Sequence, residues 1–154
     1  MSKKLKFSGI IPANLLPFNK DYSIHEKDYR RHLSWVASVP GVTAIVCNGH
    51  AAEVSSLTRE ERRRALAIAV DEVGSRTPLI SGIYSDSTLE AMDLAKDAKA
   101  EGASGLLIFP PSLFMWGAQL RPEMVYRHFA TIAETAGLPM VVFQFPPASG
   151  IGYS

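Results

Sequence analysis

The chain has 154 residues, a length for about one domain, and 47% apolar, 20% charged and 9% aromatic side chains, which excludes a disordered chain, a collagen-like repeat and a disulfide scaffold. Sixteen basic against fifteen acidic residues leave a net charge of +1, without the basic field that nucleic-acid binding requires. The single Cys47 cannot close an internal disulfide and fits a reducing compartment, the cytoplasm, and no apolar leader or long apolar run predicts secretion or a membrane span.

Along the chain, strands and helices alternate. Ser8 to Leu16 reads as a first strand closed by Pro17. Ser23 and Glu26 form a capping box that opens a helix through Tyr29, Leu33 and Val36, stopped by Pro40-Gly41. Val42 to Cys47 is a near-continuous apolar run, as expected of a strand buried on both faces. Thr58 and Glu61 form a second capping box ahead of Leu66, Ile68, Val70 and Val73. Pro78 to Ile83 is a third strand, and Ser87 with Glu90 opens a helix that runs to about Glu101. Gly105 to Phe109 is a fourth strand. Pro122 suits the first turn of a helix through Val125, Phe129 and Ile132, and Gly137 closes it. Pro139 to Phe143 is a fifth strand.

This pattern predicts an α/β fold with a parallel sheet, about four βα units plus a fifth strand. Two architectures share it: a five-strand doubly wound sheet, and the amino-terminal part of a (β/α)8 TIM barrel, which needs eight units and about 250 residues. No Gly-x-Gly-x-x-Gly follows the first strand, and Gly150-x-Gly152 comes too late and has no helix behind it. In the barrel, the inward positions are read as Ile45, Ile80 and Leu107.

In either architecture the chemistry belongs in the loops after the strand ends. After the second strand come Asn48-Gly49-His50-Ala51-Ala52-Glu53. Gly49 allows a sharp turn, and the N–H groups of His50 and Ala51 would then form a nest for a carboxylate or phosphate. The alternative reading of Gly49 is a plain turn residue. His50 is the one titratable group of that nest and could exchange protons near neutral pH. Phe109, Phe114 and Trp116 either line an apolar pocket or pack beneath their loop. Glu53 reads as a brace for its loop and Cys47 as a small core residue. His25, His32 and His128 read as solvated helix residues, and Glu60 to Arg64 as a solvated helix face. No His-x-His or His-Glu-x-x-His spacing predicts a metal site.

Gly9-Ile10-Ile11-Pro12-Ala13 with Pro17-Phe18, the Gly49-x-x-x-Glu53 loop, Leu57-Thr58-x-x-Glu61-Arg62, Pro78-Leu79-Ile80-Ser81-Gly82 and Leu138-Pro139 together resemble the dihydrodipicolinate synthase/N-acetylneuraminate lyase family, in order and over nearly the whole chain. The resemblance implies residues 1–154 as one partial TIM-barrel domain, homo-oligomers (tetramers in the family), no cofactor, and class I aldolase or dehydratase chemistry on pyruvate or a related 2-keto acid. It also implies a Schiff-base lysine on a sixth strand and a tyrosine relay at the end of the fifth.

Residue by residue the carry-over is uneven. Of the family's Gly-Thr-Thr-Gly-Glu loop, Gly49 and Glu53 are kept, while His50 and Ala51 stand where the two hydroxyl side chains would be. The relay tyrosine falls on Phe143, which has no proton to give. The tyrosine pair of the synthases falls on Pro111 and Ser112, and their arginine on Ala148. The expected lysine lies a few tens of residues beyond Phe143, and Lys20 is the one lysine in a strand-end loop. The reading is therefore a lyase-family chain with Gly49, His50 and Ala51 as the substrate-binding loop. Two alternatives stay open: a truncated chain without activity, and a five-strand doubly wound binding module.

Overall fold

A computed structural model describes Leu5 and residues 7–146; Ala148, Gly150 and Gly152 lie outside the described residues. Its helices are α1 (Glu26–Ser38), α2 (Arg59–Val73), α3 (Thr88–Ala100) and α4 (Pro122–Ala136), and its strands β1 (Ile45–Cys47), β2 (Leu79–Ile83), β3 (Gly105–Ile108) and β4 (Met140–Val142). Each helix buries an apolar stripe spaced three and four residues apart, as Val125, His128, Phe129, Ile132 and Ala136 do in α4. Helix starts follow local chemistry. Thr58 accepts from the Glu61 N–H while the Glu61 carboxylate accepts from the Thr58 N–H, a complete capping box. Ser87 accepts from the Glu90 N–H, but the Glu90 carboxylate turns to the Ser85 hydroxyl. Pro122 stands in the first turn of α4.

The first helix corrects the sequence reading. Its cap is His25, whose Nδ1 accepts from the Asp28 N–H at 3.2 Å. Ser23 is held one turn earlier, where its N–H and hydroxyl both donate to Asp21. A side chain engaged in its own local turn cannot also cap a helix.

The four strands are parallel in the order β1-β2-β3-β4. The expected first strand, residues 8–16, lies on the outer side of β1 but is tied to it by isolated bridges, Ile10 with Val42 and Ala13 with Val46. Three residues on one side span four on the other, so a bulge interrupts the ladder and confines β1 to Ile45–Cys47. The hydrogen bonds persist on both sides of it: Thr43 N–H to Ile10 O, and Val46 N–H to Pro12 O. The spatial order is thus the sequence order, with no crossover back past the first segment. That excludes the doubly wound arrangement, which would put the first strand in the middle.

The sheet separates two apolar layers. Towards the helices, Ile45, Cys47, Leu79, Ile83, Leu106 and Ile108 join the main core with the helix stripes. Ala44, Val46 and Ile80, with Leu5, Ile11 and Leu107, make a smaller cluster on the other face. Ile45 therefore faces the helices, and Val46 takes the inward place expected of it: the bulge shifts the alternation by one residue. In the main core Tyr29 is fully buried. Its hydroxyl accepts from Asn14 Nδ2 at 3.0 Å and donates to Cys47 Sγ at 3.8 Å, and burial pushes the Cys47 thiol pKa up to about 12.

The arginines of α2 are not simply solvated. Arg59 pairs with Asp97 of α3 and Arg63 with Glu101 at the end of that helix, while Arg64 pairs with Glu26 of α1. Arg62 is half-buried, with Nε donating to Leu57 O and Nη1 to Tyr84 O.

Candidate functional site

Parallel strands deliver their carboxyl ends to one side of the sheet, so the residues that follow them meet there. Gly82 pairs with Leu107 and Leu107 with Val141, while Cys47 pairs with Ser81, which puts Asn48 beside Gly82. Two residues further along stand Tyr84, Phe109 and Phe143, and because side chains alternate these three continue one inward-facing row. His50, in the turn after β1, joins them through ring contacts, so an aromatic wall stands at the mouth of the sheet.

The loop after β1 turns at Asn48, not at Gly49. Asn48 has φ 54°, and its buried side chain holds that left-handed conformation by donating from Nδ2 to Arg62 O and to Ser81 Oγ. Gly49 is extended, φ −88° and ψ 177°, and a Cβ there would make ordinary contact with Val46 and Ala13. Its lack of a side chain is not what turns the chain. His50–Ala52 then forms a 3-10 turn and Val54–Ser56 another, joined through Glu53 at φ 57°.

The N–H groups of His50 and Ala51, expected from the sequence to form a nest, stand at the start of this turn. Within the turn Ala52 N–H bonds Gly49 O and Glu53 N–H bonds His50 O. Among the described residues, the N–H groups of His50 and Ala51 have no acceptor, as at any helix start. A cleft of about 710 Å3 opens beside Ala51 and Glu53 and is otherwise lined by Leu15, Leu16 and Pro17 of the first segment and Asp28, Arg31, His32 and Trp35 of α1.

His50 lies flat on Phe109, ring centroids 4.1 Å apart and planes 26° apart. Phe145 is nearly parallel at 5.5 Å, and Tyr84 and Phe143 approach edge-on at 5.7 and 5.8 Å. Phe109 is buried beneath this group, whereas Tyr84, Phe143 and Phe145 are half-buried. His50 is exposed, and the partial desolvation it meets against the rings pushes its imidazole pKa below the ordinary value. The sequence reading named Phe143 and His50 but missed Tyr84 and Phe145 as their ring partners. The signal was the two-residue step from Gly82, Leu107 and Val141, which needs the register to be read.

The remaining candidates divide. Phe114 packs in the core against His128 and Phe129, and Trp116 is exposed. His128, read as solvated, is buried: it belongs to the apolar stripe of α4 and its Nδ1 meets Thr88 Oγ1 at 2.9 Å. His32 is half-buried and accepts the Leu15 N–H. Asp86 accepts from the Ser112 N–H and hydroxyl. Lys20 lies in the exposed turn before α1, Lys27 on α1, and Lys96 and Lys99 on α3. Among the described residues no group of three or more His, Cys, Asp or Glu side chains could hold a metal, and no helix is long and apolar enough to cross a membrane.

Comparison with known proteins matches residues 6–153 to the dihydrodipicolinate synthetase family. The 4-hydroxy-tetrahydrodipicolinate synthase of Gluconacetobacter diazotrophicus is 34% identical over 148 residues, 96% of this chain and 48% of that protein. The solved dihydrodipicolinate synthase of Agrobacterium tumefaciens superposes with a TM-score of 0.82 at 31% identity, covering 96% of this chain and 48% of its own. The chloride-inhibited dihydrodipicolinate synthase of Acinetobacter baumannii, complexed with pyruvate, gives 0.82 at 30% identity, covering 92% and 47%. The chain spans about half the length of the curated relatives it matches, and its four parallel strands superpose on the corresponding half of those barrels.

Proposed function

The chain belongs to the dihydrodipicolinate synthetase family, and on that footing we propose that it supplies the carboxylate-binding side of a lyase site for pyruvate or a related 2-keto acid. What supports this reading is the pair of unengaged N–H groups of His50 and Ala51 at the mouth of the parallel sheet. Two adjacent N–H dipoles at a helix-like turn favour an anion, and Arg31 lines the cleft beside Ala51. The hydroxyls that assist in the family are absent from these two positions, so there the backbone alone can bind.

The reaction proposed is the family's Schiff-base aldol or dehydration chemistry. None of Lys20, Lys27, Lys96 and Lys99 stands in the row of strand-end side chains, so no step is assigned to them. Phe143 cannot pass a proton. His50, whose pKa is lowered by burial, is neutral at pH 7 and can accept one, and Tyr84, with its ring 5.7 Å away, is the phenol of the wall. Homo-oligomeric assembly and a cytoplasmic setting belong to the same proposal. A second reading, a scaffold that binds the acid without turning it over, is favoured by Phe143 standing where the family has its relay.

Pyruvate titrated into isotopically labelled protein tests the anchor. The amide resonances of His50 and Ala51 should move downfield together and saturate; if they stay fixed, the carboxylate site is wrong. Exchange of the pyruvate methyl protons with deuterated solvent separates the two readings, since only a turning-over site catalyses it.

A further inference from the structure

We propose that the 2-keto acid taken by this site carries an aromatic ring, which stacks on the wall formed by His50, Tyr84, Phe143 and Phe145. The proposal rests on the keto-acid reading for its anchor and extends it to the rest of the ligand. His50 joins the two parts: its N–H belongs to the carboxylate nest and its imidazole to the ring cluster. One residue thus carries both an anchor N–H and a ring of the cluster.

The chemistry of the wall selects that substituent. Face-on stacking of His50 on buried Phe109 fixes the imidazole plane, and Phe143 and Phe145 stand edge-to-face at 4.9 Å. Half-buried ring faces and edges of this kind match an arene in offset or T-shaped geometry. A polyol or an amino-acid-like tail finds little here. Its hydroxyl, ammonium or carboxylate groups would lose water against phenyl rings, and unpaired polar groups are costly to desolvate.

Binding of phenylpyruvate, cyclohexylpyruvate and pyruvate to the purified protein, measured by calorimetry, tests this. Cyclohexylpyruvate has a similar apolar size without a π face. Phenylpyruvate should bind at least tenfold tighter than pyruvate and about two- to tenfold tighter than cyclohexylpyruvate. Phe145→Leu should abolish the second difference. In the unsubstituted protein, ligand phenyl protons should show nuclear Overhauser contacts to Tyr84, Phe143 or Phe145, a readout that does not depend on the variant folding. If pyruvate still shifts the His50 and Ala51 amides but phenylpyruvate gains nothing over cyclohexylpyruvate, or its ring contacts none of these residues, the aromatic preference is overturned and the keto-acid reading stands. If none of the three acids binds, both fall.

Discussion

The backbone carbonyl of Asn48 occupies the space where a side chain on Gly82 would begin, and the edge of Phe109 closes the same space from the other side. The exit turn of β1 is thereby seated on β2, and the wall that holds His50, Tyr84 and Phe109 depends on that seating.

Gly82→Ala should destabilise the fold by about 2 kcal/mol or more, because the added methyl meets backbone that cannot move aside. Urea denaturation should show a lower midpoint with an unchanged slope. A midpoint within error of the parent would mean that β1 and β2 are not locked in this way.

At Asn48 the usual ranking of alanine over glycine should reverse. Both Asn48→Ala and Asn48→Gly lose the bonds to Arg62 O and Ser81 Oγ, but only alanine also suffers from the left-handed backbone. Alanine should be the worse by about 1 kcal/mol. Equal stabilities of the two variants would refute the strained turn.

Thr58→Ala removes the capping box of α2 and should cost about 1 kcal/mol, whereas Ser23→Ala should leave α1 essentially unchanged because His25 is its cap. The Thr58 N–H and hydroxyl hold the Glu61 carboxyl below its ordinary pKa, so this contribution is present at neutral pH and fades as pH falls through the lowered value. Thermal melts of the two variants at pH 7 decide the contrast.

Acid should weaken the fold before any carboxylate protonates. Burial lowers the pKa of His32, His50 and His128, so the unfolded chain binds protons first as pH drops below about 6.5. The stability held above that pH is lost progressively down to the native values. His128 is the most buried of the three, and His128→Asn should flatten the slope measured by denaturation between pH 7.5 and 5.5. An unchanged slope would assign the pH dependence elsewhere.

Those elements whose signals are local were legible from the sequence. Thr58, Ser87 and Pro122 mark their helix starts because each cap involves residues three apart or fewer, and the runs through Cys47, Ile83 and Ile108 are apolar because the sheet is covered on both faces. Ser23 misled because Asp21, two residues away, competes for the same hydroxyl. The bulge between Val42 and Val46 escaped notice because it belongs to a pairing and not to a segment. It also moved the inward position from Ile45 to Val46. At the site, His50 and Phe143 could be named singly. Tyr84 and Phe145 could not, since their meeting with His50 depends on the relative register of strands that are far apart in sequence.

Cys47 gives the molecule an internal clock. Its thiol lies beneath α1, and burial pushes its pKa up to about 12, so at pH 8 it stays protonated and unreactive while buried. An alkylating reagent can therefore reach it only in moments when β1 and α1 part. The labelling rate at excess reagent counts those partings one by one, and in doing so times the fluctuations of the strand from which the His50 loop departs.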